Sequence, residues 1–290
     1  MGTLVVRHYL TDSFARLADH TYVECGTGKK GWSCWGGKTG GKELRRGTGS
    51  TSRADRIAQP DEKAGIRCYL VNGVCHQSAN RILLPARITV RGARGYRISE
   101  TLFGPYGRTG TRPCRSPFYK YRNTSGDLAE CTAKARPAVA EPAPRALSAD
   151  DKLDWHYIRG VLKIYDQAGS LLQGRSPDPA ALANFQVRLF LYMAEFNLGP
   201  LLSRRLAAHL EKARRNLEKK RMRLERSFVE KEMDGHDFAN AFNRMTIAFE
   251  DEMADIMKPH EYTTLFDLEP GEHVVLADPT IVKAIYGPGE

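Results

Sequence analysis

Between Leu201 and Ile256 the apolar residues recur every three or four positions, the spacing that puts side chains on one face of a helix. Leu206, Leu210, Ala213, Leu217, Leu224 and Phe228 form one stripe, close to a heptad seam. Phe238, Phe242, Met245, Phe249, Met253 and Ile256 form a second, and Asp234–Gly235 separates the two. Two amphipathic stripes joined by a short turn containing glycine predict an antiparallel helical hairpin, with these Met and Phe residues in its core. Asp150–Leu172 and Pro179–Asn197 read as two further amphipathic helices, and Pro279–Tyr286 as a short helix capping the bundle. The run LEKARRNLEKKRMRLER within the first stripe invites a nucleic-acid reading. A solvated helix face with i,i+4 pairs such as Glu211–Arg215 is the expectation preferred for it.

The segment before this helical half differs in composition. All six cysteines (Cys25, Cys34, Cys68, Cys75, Cys114 and Cys131) lie in it. Residues 1–145 hold 25 Lys+Arg against 11 Asp+Glu, a net of +14, while the remainder holds 19 against 23, a net of −4. That asymmetry suggests an anionic surface or an acidic protein as partner for the first part. Ala133–Asp150 is rich in Ala and Pro and has no helical or strand period, so it reads as a stiff linker. The organisation expected is a basic, Cys-rich domain over 1–132, a linker over 133–150 and a helical domain over 151–290. The helical domain is a candidate surface for homo- or hetero-oligomers.

Upstream of the linker, HTYVEC (His20–Cys25) and WSCW (Trp32–Trp35) flank GTGKKG and predict a β-hairpin. GGKTGGKELRRGTGSTSRADR reads as a surface loop, Ile66–Val71 as a buried strand, and Ile88–Val90 with Tyr96–Ile98 as a second hairpin across RGARG. After Asn72–Gly73, VCHQSANRILL has helical character until Pro85 stops it.

That last transition carries the strongest chemical signal. Cys75 falls in the first turn of a helix, where unpaired backbone amides and the positive end of the helix dipole favour a thiolate. A thiolate nucleophile needs a base, and His8, His20 and His76 are the only histidines of the first half. His76 is the next residue on the helix and points about 100° away. His20 opens the HTYVEC strand and is the base expected. The Cys75 amide is the generic oxyanion donor, with Tyr69 or Gln77 as side-chain candidates.

A His at a strand start followed by a Cys at a helix N-terminus resembles the circularly permuted papain-like proteins, which include permuted relatives of the NlpC-type cell-wall amidases and the lecithin:retinol acyltransferase-like enzymes. The residues that carry the resemblance are H-T-Y-V at His20 and G-V-C-H-Q at Gly73–Gln77, over about sixty residues. It implies a small antiparallel sheet packed on the Cys helix, a thioester on Cys75 and His20 relaying the proton. It also implies a third group on the next strand, where WSCW offers only Ser33 and Cys34; and this chain has Val74 where the acyltransferase-like members carry an Asn. The fold class expected is therefore α+β, an N-terminal sheet on a Cys-bearing helix followed by an all-α part.

The resulting functional expectation is a cysteine hydrolase or acyltransferase acting on an amide of a peptide or cell-wall-like polymer, with no cofactor. Two rivals stand beside it: a non-enzymatic basic adaptor, and a zinc-stabilised nucleic-acid binder. GGKTGGK does not complete a phosphate-binding loop, since Trp32 stands where its first glycine is required. There is no CxxC pair, and Cys25, Cys34, Cys68, Cys75 and His76 lack the close spacing of zinc knuckles, so no metal is expected. No run approaches the roughly 18 apolar residues of a membrane span, and the first twenty residues lack a leader's apolar core. A cytoplasmic location follows, or export without a cleaved leader. Export would allow Cys25–Cys34 and Cys114–Cys131 disulfides.

Overall fold

The computed structural model describes residues 1–9, 17–25, 31–32, 40–58, 64, 66, 68–108, 149–169, 179–230 and 232–286. Four strands, β1 (Gly2–Tyr9), β2 (His20–Cys25), β3 (Gly31–Trp32) and β4 (Lys42–Gly49), form one antiparallel sheet in the order β3-β2-β1-β4. Alternation decides which side is buried. Leu4, Val6, Thr21 and Val23 point inward and are fully buried. Onto that face pack α1 (Thr51–Ala58) and α2 (Cys75–Leu83), through Ile57, Ala79, Ile82 and Leu83. β4 ends where a short 3-10 turn, Leu84–Ala86, follows α2. A Cβ on Gly49 would sit 2.7 Å from the Pro85 carbonyl, so only glycine lets the two backbones approach this closely.

The protein is α+β, as expected, with the sheet on a Cys-bearing helix and a helical region after it. That region comprises α4 (Ala149–Gly169), α5 (Pro179–Leu198), α6 (Arg204–Val229), α7 (Gly235–Ile256), α8 (Pro259–Phe266) and α9 (Pro279–Tyr286). The hairpin of the two apolar stripes is α6 and α7. Each is started by a side-chain cap: Ser203 accepts from the Leu206 amide at 3.1 Å and Asp234 from the Asp237 amide at 2.8 Å. Phe228 stacks on Phe238 with ring centroids 4.3 Å apart, and α9 packs across α7. Among the described residues no helix is long and apolar enough to cross a membrane.

Several local expectations are corrected. The hairpin across RGARG is absent, and Tyr96–Phe103 is a helix instead, α3, begun at Gly95. Gly95 has φ +77°, and a Cβ there would strike Val274 and Ala18. Every residue of α3 is buried, so no polar alternation marks its period in the sequence. Ile66–Val71 is not a strand. Its backbone folds on itself: the Val71 and Asn72 amides donate to the Cys68 carbonyl at 2.9 Å, the Asn72 side chain accepts from the Cys68 amide at 3.0 Å, and Leu70 has φ +63°. An Asn side chain competing for backbone groups defeats the strand. The supposed loop GGKTGGKELRRGTGSTSRADR supplies β4 and α1 over its described part. β4 is an edge strand, and its run of charge is what an edge tolerates.

The segment 133–148, where a linker was expected, lies outside the described residues; Ala149 and Asp150 open α4. The two halves share one core. Cys68, Leu70, Val71, Val74, Ile98, Leu102 and Phe103 pack with Phe190, Leu217, Phe228, Phe238 and Phe242. The charged run of α6 is also not simply a solvated face. Glu211–Arg215 forms the expected exposed pair at 2.8 Å. Arg214, Glu218 and Arg221, however, are fully buried. Arg214 donates to the Thr101 carbonyl at 3.1 Å, and Arg221 to the carbonyls of Val71, at 2.8 Å, and of Leu102.

Candidate functional site

Cys75 is the first residue of α2, after the extended Val74, and its own amide has no acceptor within the helix. β2 runs alongside and delivers His20 and Thr21 to the sulfur. Burial alone would raise the Cys75 pKa; hydrogen bonding to His20, the charge of His20 and a hydrogen bond from the Thr21 amide outweigh it, so the thiol pKa is lowered. In its protonated form Cys75 faces the Asp19 carbonyl oxygen at 3.8 Å. The sulfur is a free thiol at 6% exposure, and Tyr69 and Ile66 pack against it. Cys68, seven residues earlier, is in a disulfide.

The start of β2 is held from several sides. Asp19 accepts from His8 Nδ1 at 2.7 Å and from the Arg94 amide at 3.1 Å, while its own amide donates to the Arg94 carbonyl at 3.0 Å. The Ala18 amide donates to the Val275 carbonyl at 2.9 Å, so the C-terminal segment also fixes this strand. The fully buried His76 completes the clamp, with Nδ1 2.8 Å from Ser99 Oγ and Nε2 2.9 Å from the Asp19 carbonyl. Burial pushes the His76 pKa down to about 4. A neutral ring facing a carbonyl carries its proton on Nε2, so Nε2–H donates to the Asp19 carbonyl, while Nδ1 lies against the oxygen of Ser99, whose hydroxyl donates to the Tyr96 carbonyl at 2.8 Å. His76 is therefore a structural neighbour of the sulfur and not its base.

At the end of the β1–β2 pair, Tyr9 lies opposite His20 in the strand register and stacks on it, with centroids 5.6 Å apart and planes at 17°. The stack limits rotation of the imidazole. Tyr9 also stacks on Tyr22 at 5.6 Å, and the Tyr22 hydroxyl donates to Glu24 at 3.1 Å, so the row of rings is pinned at both ends. On the inner face the Thr21 hydroxyl is fully buried and has no nitrogen or oxygen partner, although it acts on the Cys75 sulfur.

The structure thus brings Cys75 and His20 together and packs Tyr69 beside the sulfur. Gln77 is not available as an oxyanion donor. Its Oε1 accepts from the Val74 amide at 3.1 Å, and its Nε2 donates to Ser99 at 3.3 Å and to the Gly104 carbonyl at 3.2 Å. A polar residue at the third position of a helix closes the cap, and that need outweighs any catalytic one. Ser33 and Cys34 lie outside the described residues. Of the metal set drawn from Cys25, Cys34, Cys68, Cys75 and His76, the Cys68 sulfur is bonded to another sulfur and both His76 nitrogens are engaged, so neither residue is free to ligate. Among the described residues the one cluster with metal-ligand spacing is Asp234, His236 and Asp237, at the start of α7, where Asp234 is already the cap.

Sequence reasoning missed Asp19, Thr21, Tyr9 and Ser99. Only the register of β1 with β2 sets Tyr9 beside His20. Comparison with protein-family models, with curated proteins and with solved structures finds no match to this chain.

Proposed function

We propose that this chain is a cysteine-dependent hydrolase or acyltransferase acting on an amide bond of a peptide or peptide-like polymer. One observation carries the reading: the Cys75 sulfur sits at a helix N-terminus beside the strand-borne His20 imidazole and the Thr21 amide, a setting that favours the thiolate although burial opposes it. An inert core thiol would show the opposite shift. The order of His strand and Cys helix, and the sheet packed on that helix, agree with the permuted papain-like resemblance.

In this reading the Cys75 thiolate attacks the carbonyl carbon and forms the C–S bond. The oxyanion is met by the Cys75 amide, which has no intrahelical acceptor. His20, as imidazolium, gives its proton to the leaving nitrogen while the C–N bond breaks. Water, deprotonated by His20, then releases the acyl group from sulfur, or an amine or alcohol takes it in transfer. Tyr9 holds the ring plane through both steps. The Cys68 disulfide supports an oxidising compartment, and so the export side of the localisation expectation.

The test is site-resolved alkylation at pH 6–7, read by mass spectrometry of the unreduced protein. Cys75 labels first in the wild type, and His20→Ala removes that preference. An ordinary thiol of pKa about 8.5 is only about 1% thiolate at pH 6.5, which bounds the loss at about 100-fold. Equal, slow labelling of Cys75 in both proteins would sink the enzyme reading and leave the adaptor. Acyl-enzyme capture by a peptide thioester probe, lost in Cys75→Ser, then separates catalysis from mere reactivity.

A further inference from the structure

The charge of α6 is one-sided once its inward residues are set aside. Glu218 is wholly buried against Arg214 and Arg108, and Glu225 turns to Arg108 and Arg221. Two of the helix's acids are thereby removed from its outer surface. Apart from Arg204 at the very start of the helix, Arg205, Lys212, Lys219, Lys220, Arg223 and Arg226 remain, all exposed. At 100° per residue they fall within about 60° of a single line along the helix, with the exposed His209 on the same line. The row is about 31 Å long from Arg205 to Arg226. Arg215, at its flank, pairs with Glu211; among the described residues no carboxylate pairs with Lys212, Lys219, Lys220, Arg223 or Arg226.

A second feature continues the row. At the N-terminal end of α6 lies an open cleft of about 410 Å³, walled by Arg205 and His209 from one side and by Lys258 and His260 from the other, with the apolar Leu201 and Ile256 and the acid Glu261 also in its lining. Lys258 and His260 are exposed, so the cleft sets the Lys258 ammonium and the His260 imidazole across from Arg205 and His209 at the end of the stripe.

We propose that this face binds the phosphate backbone of a nucleic-acid duplex. Cations stepped three or four residues apart advance about 4.5–6 Å along the axis, a linear array suited to phosphates that recur every ~3.4 Å along each strand. The outward face of α6 carries no Phe, Tyr or Trp on which single-stranded bases would stack. It also exposes no large apolar side chain to enter a lipid surface or to form the buried centre of a protein interface. Along the helix face itself, charge complementarity is what remains. The surface is independent of Cys75 and His20, and stands whether or not the chain is an enzyme.

The test is fluorescence anisotropy of the full chain with a 20-base-pair duplex between 50 and 200 mM salt. Five or six neutralised phosphates give a slope of log K against log salt of about −5. Replacing Lys212, Lys219 and Arg223 together by Gln flattens that slope by about 2.7, equivalent to roughly 500-fold weaker binding at 0.1 M salt. All three are exposed, so the fold survives, which circular dichroism checks. A control pair on the sheet edge, Lys42→Gln with Arg46→Gln, leaves the slope as it was. Absence of salt-dependent binding overturns the proposal. So does a triple variant with the wild-type slope, a sheet-edge pair that matches the loss, or tighter binding to anionic lipid vesicles at equal salt.

Discussion

Removing Arg221 tests how the helical half supports the candidate site. Its guanidinium is wholly buried, lies 4.4 Å over the Phe103 ring, bonds Glu225 at 2.8 Å and donates to the carbonyls of Val71 and Leu102. It belongs to a network of three cations, Arg108, Arg214 and Arg221, and two anions, Glu218 and Glu225. Burial, then repulsion from Arg108, lowers Arg221 to about 10, while Arg214, Arg108 and Arg221 overcome burial to hold Glu218 at about 2. Arg221→Met keeps packing on Phe103 but leaves the Val71 carbonyl without its donor. Each carbonyl so orphaned costs about 1–3 kcal/mol, while the excess positive charge is relieved. The net loss expected is about 3–5 kcal/mol, the usual range for breaking one member of a buried network. At about 2–4 °C per kcal/mol this lowers Tm by roughly 10 °C in thermal unfolding followed by circular dichroism. Glu218→Gln leaves three cations facing one anion and destabilises more. An Arg221→Met Tm within about 2 °C of wild type would refute the reasoning, as would a Glu218→Gln protein more stable than Arg221→Met.

His76, lowered to about 4 in the fold, binds fewer protons than in the unfolded chain between pH 4 and 6.5, so its contribution is complete above pH 6.5 and is lost as pH falls toward 4. The loss amounts to roughly 3 kcal/mol, and His76→Gln flattens that limb of the stability profile. The same variant, which retains a donor for the Asp19 carbonyl, labels at Cys75 faster than His76→Leu, which retains none; equal rates would remove its positioning role. Glu250 is displaced the other way: burial, then Asp251 and Glu272, raise it to about 8. Between pH 4.5 and 8 the folded state therefore holds the extra proton, and stability falls as pH rises through that window, by on the order of 4 kcal/mol. Glu250→Gln, which still offers a donor to His273 Nδ1, 3.0 Å from the wild-type carboxyl, makes stability flat there in urea titrations at pH 6 and 9. A slope unchanged in Glu250→Gln would assign the titration elsewhere.

What the sequence disclosed follows from periodicity. The α6–α7 hairpin was legible because its apolar residues face one way and polar ones the other, and the Asp234–Gly235 break carries its own cap. α2 was legible because Asn72–Gly73 and Pro85 bracket it, and Cys75 with His20 because each sits at an element start. α3 was not: buried on all sides, it has no polar face to betray its period. β4 was hidden by the charge an edge strand tolerates, and Ile66–Val71 mimicked a strand because burial alone selected its apolar residues.

By itself, then, the chain determined its helical seams, the cysteine at a helix start and the histidine at a strand start, because these depend on interactions within a few residues. Tertiary structure decided which groups surround the sulfur. Thr21, Tyr9 and the Asp19 carbonyl arrive through strand register and through the clamp of Arg94, His76 and Val275, residues up to 257 positions away in the chain. It also turned Glu218 and Arg221 inward and left the other basic side chains of α6 outside. The two sets look alike in the sequence, and only the packing partner available to each separates a buried ion network from a solvent-facing cationic row.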